Sequence, residues 1–130
     1  MGDAPPAEES ADPLVPDERH VLEDGCARCP ALVACRERIS WGTGDPDAAV
    51  MAIGEAPGAG APDAETWRGG NWTGRAYTTR HSGRRIRKLL AEAGHPDAYV
   101  TNAVKCFPCD GSGSNREPAA EERENCRVHL

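Results

Sequence analysis

Two cysteine pairs at two-residue spacing, Cys26-Ala-Arg-Cys29 and Cys106-Phe-Pro-Cys109, with Cys126 beyond them, constrain this chain more than any other feature. Thiolates spaced in this way clamp a soft metal ion or an iron–sulfur cluster. Six cysteines in 130 residues also raise the possibility of a secreted disulfide scaffold. The amino terminus argues against it, because Met1 to His20 has neither a basic start nor an apolar stretch of secretory-signal length. A reducing cytoplasm, where thiols stay free for metals, is the expected compartment. Taken alone, the two pairs fit a closed tetrahedral zinc site, and six thiols leave the choice of four ligands open. Cys35, on the apolar side of its helix, reads as a small core residue.

The stretch 1–22 is rich in Pro, Ala, Asp and Glu and is expected to be a disordered tail, which leaves residues 23–130 as one domain. No apolar run approaches the roughly 20 residues that cross a bilayer, so a soluble monomer without membrane contact is expected. A net charge of -6 argues against a nucleic-acid partner, whose affinity is mainly cation-driven. The distribution softens this, since Arg75, Arg80, Arg84, Arg85, Arg87 and Lys88 form a basic middle and local charge governs steering. A solvated helix face with loop arginines explains the same residues equally well.

Along the chain, Pro30 to Ile39 reads as a short helix with proline in its first turn. The stretch from Gly42 to Asp47 reads as a turn, and Ala48 to Ile53 as a strand buried on both faces, because its apolar run has no polar alternation. Gly54-Glu-Ala-Pro-Gly58 stops that strand, and a Gly-rich, Trp-containing loop follows. Ser82 is the expected cap of a helix over Gly83 to Ala93, with Ile86, Leu89, Leu90 and Ala93 on one face. Tyr99 to Val104 reads as a second strand, and Glu117-Pro118 opens a last helix carrying Cys126. Strand, crossover helix, strand implies a right-handed parallel pair in an α/β sheet, with a site at the strand carboxyl ends. Two such strands cannot bury both their faces alone, so the chain reads as part of a larger domain.

Asn102 stands out in its strand, because an amide in an apolar run must find partners or lose about 1–3 kcal/mol on burial. Four features in order, Cys26-x-x-Cys29, Gly54-Glu-Ala-Pro-Gly58, Thr101-Asn-Ala-Val-Lys-Cys106 and Asn115-Arg-Glu-Pro118 leading to Cys126, resemble the type-4, iron–sulfur branch of the uracil-DNA glycosylases. The resemblance covers about residues 24–130. It implies a three-layer α/β/α fold of which this chain is the amino-terminal portion, and a [4Fe–4S] cluster on Cys26, Cys29, Cys106 and Cys126, leaving Cys109 as an extra thiol. The partner it implies is uracil-containing DNA, in base-excision repair.

It further implies that Asn102 reads the pyrimidine edge of an extruded uracil and that Tyr77 or Trp72 stacks on the base. The family's Pro-Phe and Gly-Arg-Ala-Gly-like turn is expanded here to residues 71–83, so neither ring aligns directly, and Trp67 reads as loop packing. Cleavage passes through a sugar cation and a uracil anion, which calls for a carboxylate near the sugar or its water. Glu55 is the candidate. The backbone at Gly54, Ala56 and Gly58 would hold base or phosphate, and Asn115 would assist.

The chain ends before the family's His-Pro-Ser turn, and His81, His95 and His129 stand outside any such motif, with His129 expected on a helix surface. A product of these residues alone would be weakly active or inactive, and could be a remnant that keeps only its cluster. The rival expectation is a non-enzymatic zinc-ribbon-like module that binds nucleic acid or protein through the two CxxC pairs. Stoichiometric zinc without iron or sulfide would identify it.

Overall fold

In the computed structural model the described residues are 19–64 and 67–130; most of the expected tail lies outside them. Helix α1, Pro30–Cys35, starts immediately after the first thiol pair, with Pro30 in its first turn where its missing N–H costs nothing. It is shorter than expected. Arg36 is extended, and the helix ends there.

Strand β1, Met51–Gly54, pairs in parallel with β2, Tyr99–Asn102, and the register sets Gly54 beside Asn102. The crossover carries the short α2, Gly70–Thr73, and α3, Ser82–Glu92. The parallel α/β unit expected from the sequence is therefore present. β2 is buried from Val100 to Asn102, but β1 is not the doubly buried strand expected: Met51 is 45% and Ile53 52% exposed. β1 lies at an edge of the two-stranded sheet, and the described residues leave one of its faces uncovered.

The segment expected as a turn after Ser40 does more. Thr43 exchanges both backbone hydrogen bonds with Val100, at 2.8 and 3.0 Å, so it flanks β2 antiparallel on the side away from β1. Trp41, 2% exposed, bonds on its other side to Gly74 and Ala76. His20, near the end of the expected tail, pairs with Gly42, and its ring Nε2 lies 2.7 Å from the Gly44 carbonyl oxygen.

Ser82 begins α3 but does not cap it; the Thr79 hydroxyl accepts from Gly83 N–H at 2.8 Å instead. On the expected apolar face only Ile86 and Leu90 are half-buried, and Leu89 is 51% exposed. The last helix, α4, Ala120–Cys126, starts later than expected and runs into a 3-10 turn, Arg127–His129. No helix among the described residues is long and apolar enough to cross a membrane.

Glu122 fixes the start of α4. Its carboxylate accepts Ala119 N–H at 2.9 Å and two Arg116 N–H bonds at 2.8 and 2.7 Å, and Arg116 holds its carboxyl pKa below the usual carboxylate range. Lowering a carboxyl's pKa in the fold adds stability above its ordinary value near 4.5, and that stability disappears as pH falls through the lower folded value. Glu122→Gln should therefore destabilise the chain by about 1–3 kcal/mol at neutral pH. The gap to the unsubstituted chain should close in denaturant titrations as pH falls through that lower folded value.

Candidate active site and thiol centre

The buried cluster at the heart of the chain is made of Cys29, Leu32, Val104 and Cys106, with Ile39 and Ala56 packed on it. One cavity is lined by Cys26, Cys29, Cys106 and Cys126 together with Leu32, Arg36, Trp41, Lys105 and His129. These four are the free cysteines. Cys35 and Cys109 are joined in a disulfide with Cα atoms 5.7 Å apart. Cys35 is thus not a simple core residue, nor Cys109 a spare thiol, and the expectation of free thiols throughout is corrected for this pair. The bond ties the end of α1 to the loop after Cys106 and removes Cys109 from the donors available to a metal.

Hydrogen bonds converge on the free sulfurs. Arg36 Nη1 donates to Cys106 Sγ at 3.4 Å and to the Cys26 carbonyl at 2.6 Å; Lys105 N–H donates to Cys126 Sγ at 3.3 Å, and Asn125 Nδ2 to Cys29 Sγ at 3.6 Å. Donors of this kind stabilise metal-bound thiolates. Burial pushes the Cys106 and Cys126 thiols up, so they ionise readily only with a cation between them.

A tetrahedral zinc at about 2.3 Å from each sulfur needs its sulfurs about 3.8 Å apart. Among the described residues no three thiols lie within 4.8 Å of one another; the group that does is Glu23, Cys26 and His129. The four free thiols line one small cavity.

His129 was expected on a helix surface and is instead 8% exposed, its ring edge-on to Trp41 at 5.1 Å. The tighter three-residue turn after Cys126 rotates it inward. Lys105 was not singled out in the sequence, yet it is 2% exposed, and its Nζ donates to the backbone carbonyl of Asn102. Burial lowers its pKa while the nearby Cys126 raises it. A buried ammonium thus links the thiol cavity to the end of β2.

At that end a hollow of about 230 Å³ is lined by Ser40, Ala56, Pro57, Gly58, Gly70, Tyr77, Thr79, Ser82 and Asn102. It is smaller than pockets for drug-sized ligands and suits one small ring. Tyr77 is therefore the aromatic brought to the site, whereas Trp72 donates its indole N–H to the Ala59 carbonyl and Trp67 is buried under the loop. Tyr77 sits in the left-handed region at φ 55°, a conformation costing about 1–3 kcal/mol that persists where the surroundings over-determine it. Arg87 supplies that restraint, donating to the carbonyls of Ala76 and Tyr77 and to the Thr43 hydroxyl. Arg87 thus serves the fold, not an open basic face. Burial raises the Tyr77 hydroxyl's pKa, keeping it protonated and able to donate.

Two further candidates are not brought in. Glu55 is 62% exposed, and its carboxylate lies 4.0 Å from Arg123 Nη2 instead of lining the hollow. Asn115 is exposed and bridges backbone to Cys109. A residue the sequence gave no signal for is Ser40, fully buried on the hollow's wall with a hydroxyl that has no hydrogen-bond partner among the described residues.

Gly54 sets the closeness of Tyr77 and Asn102. A Cβ at position 54 would lie 2.5 Å from both Asn102 Oδ1 and the Tyr77 hydroxyl, while at Gly58 it would meet nothing within 4 Å among the described residues. Gly54→Ala is expected to push both side chains apart and cost about 1–3 kcal/mol in thermal unfolding. Gly58→Ala should unfold like the unsubstituted chain, and equal losses in the two variants would contradict this placement.

The family model described as the uracil DNA glycosylase superfamily matches residues 41–130. A type-5 uracil-DNA glycosylase of Pyrobaculum aerophilum is 33% identical over 81% of this chain and 54% of its own length. A type-4 uracil-DNA glycosylase of the same organism is 34% identical over 85% of this chain and 50% of its own. The type-4 enzyme of Archaeoglobus fulgidus is 32% identical over 94% of this chain and 52% of its own. The type-4 resemblance holds, with type-5 relatives matching at the same level, and the chain spans about half the length of the curated relatives it matches. With the motif order and the strand-end pocket on one parallel pair, the chain belongs to the uracil DNA glycosylase superfamily.

Proposed function

We propose that this chain is the amino-terminal portion of a cytoplasmic uracil-DNA glycosylase, which extrudes uracil from DNA and hydrolyses its N-glycosidic bond as the first step of base-excision repair. The observation that carries the reading is the hollow in which Asn102 and Tyr77 close on Gly54 at the carboxyl ends of two parallel strands. Asn102 offers a donor and an acceptor to the pyrimidine edge, and Tyr77 offers a ring face. Ser40 can satisfy a base carbonyl, and the Ala56–Gly58 backbone a neighbouring phosphate.

Glu55 is the carboxylate for the sugar cation or its attacking water. An exposed ion pair at this distance contributes at most about 1 kcal/mol, so the side chain is free to leave Arg123 when DNA arrives. Cys26, Cys29, Cys106 and Cys126 are the proposed holders of a [4Fe–4S] cluster, which would supply a structural clamp between the first cysteine loop, the end of β2 and α4. The set of four free thiols and the N–H···S bonds on them support that choice. The zinc-ribbon alternative loses one of its two pairs to the disulfide.

The test is an oligonucleotide with one deoxyuridine beside its thymine counterpart, scored for free uracil and for relative affinity. Release of uracil, or selective binding of the uracil strand, supports the proposal. Equal affinity with no release of uracil overturns it.

A further inference from the structure

A second hollow, of about 490 Å³, opens beside the first and is lined by Arg80, His81, Ser82, Arg84, Arg85 and Lys88. Ser82 belongs to both walls, so the two spaces adjoin. Among the described residues no carboxylate lines the second one, and the first turn of α3 holds no acidic residue. In a chain of net charge -6 this is a local reversal of sign. Arg80, Arg85 and Lys88 are exposed, whereas Arg87 of the same helix is spent on Tyr77 and Thr43. Arg84 and Lys88 stand one turn apart, about 6 Å along the axis. That is roughly two nucleotide steps of one DNA strand.

We propose that this hollow holds the sugar–phosphate backbone of the DNA strand immediately beside the extruded nucleotide. The guanidinium groups of Arg80 and Arg85 take phosphate oxygens in pairs, Lys88 adds a point charge, and the positive end of α3 points the same way. The shared Ser82 wall sets the register: a strand seated on the arginines delivers its next nucleotide to Tyr77 and Asn102. The inference rests on the glycosylase reading for its ligand, but the residues are separate from those proposed to read the base.

The experiment uses the full metal-loaded chain, a labelled uracil oligonucleotide, its thymine counterpart, and salt from about 50 to 200 mM, the range over which phosphate contacts dominate affinity. The Arg85→Gln, Lys88→Gln double variant alters exposed side chains only. Losing two phosphate contacts should flatten the salt dependence on both oligonucleotides, so that the affinity advantage of the unsubstituted chain shrinks roughly tenfold across that range. Arg80→Gln alone should give about half the change in slope. Arg127→Gln, 76% exposed in the last turn and outside the hollow, should leave the slope unchanged. The proposal is overturned if the double variant keeps the full slope, or if Arg127→Gln flattens it as much. It also falls if inorganic phosphate binding is lost while the oligonucleotide slope stays, since the hollow would then be a small-anion site. A flattened slope without uracil release or preference keeps the hollow and removes the uracil reading; uracil release with an unchanged slope does the reverse.

Discussion

Asn102→Ala is expected to abolish the preference for uracil over thymine oligonucleotides and to lower any uracil release by about 10²–10³-fold, the usual effect of deleting one oriented polar group from a preorganised site. The expectation follows from where the residue is held. Its backbone is fixed by the β1 register and by the Lys105 ammonium on its carbonyl, and neither contact uses the side-chain amide. The strand end should keep its place when the amide is removed, so the loss falls on recognition more than on folding. Thermal unfolding measured beside affinity separates the two. An Asn102→Ala chain that still favours uracil would show that some other group reads the base.

The second large effect separates the six cysteines into two kinds. Cys126→Ser should lose bound iron and its colour and unfold the α4 end of the chain, because a structural metal site contributes folding free energy outright. Cys109→Ser should keep its iron and lose about 2–4 kcal/mol of stability, the usual contribution of a disulfide. Adding a thiol reductant to the unsubstituted chain should reproduce the Cys109→Ser stability and leave iron in place. If instead Cys109→Ser loses its iron while Cys126→Ser keeps it, the second CxxC pair is the metal site and the proposed quartet is wrong.

Much of this was legible in the residues because spacing and type carried it. The parallel pair follows from two short apolar runs around a helical segment, and Asn102 is conspicuous as an amide within one of them. What stayed hidden depends on contacts between distant segments. Nothing local marks Arg36 as a donor to both Cys26 and Cys106, or Lys105 as a buried cation, since most lysines and arginines are exposed. Ser40 resembles any loop serine until Gly70 and Asn102 are placed beside it. The disulfide was missed because four of the six thiols follow a metal spacing, which drew Cys109 into a pair with Cys106. β1 was read as doubly buried from its composition, but the described residues leave uncovered the face that carries Met51 and Ile53.

The direct test of the whole account is metal and sulfide analysis of the anaerobically prepared chain, combined with alkylation of its cysteines. Iron and acid-labile sulfide in equal amounts, with Cys26, Cys29, Cys106 and Cys126 shielded until the iron is chelated, is the expected result. Stoichiometric zinc without sulfide, or ready alkylation of those four thiols in the folded, loaded chain, would contradict it.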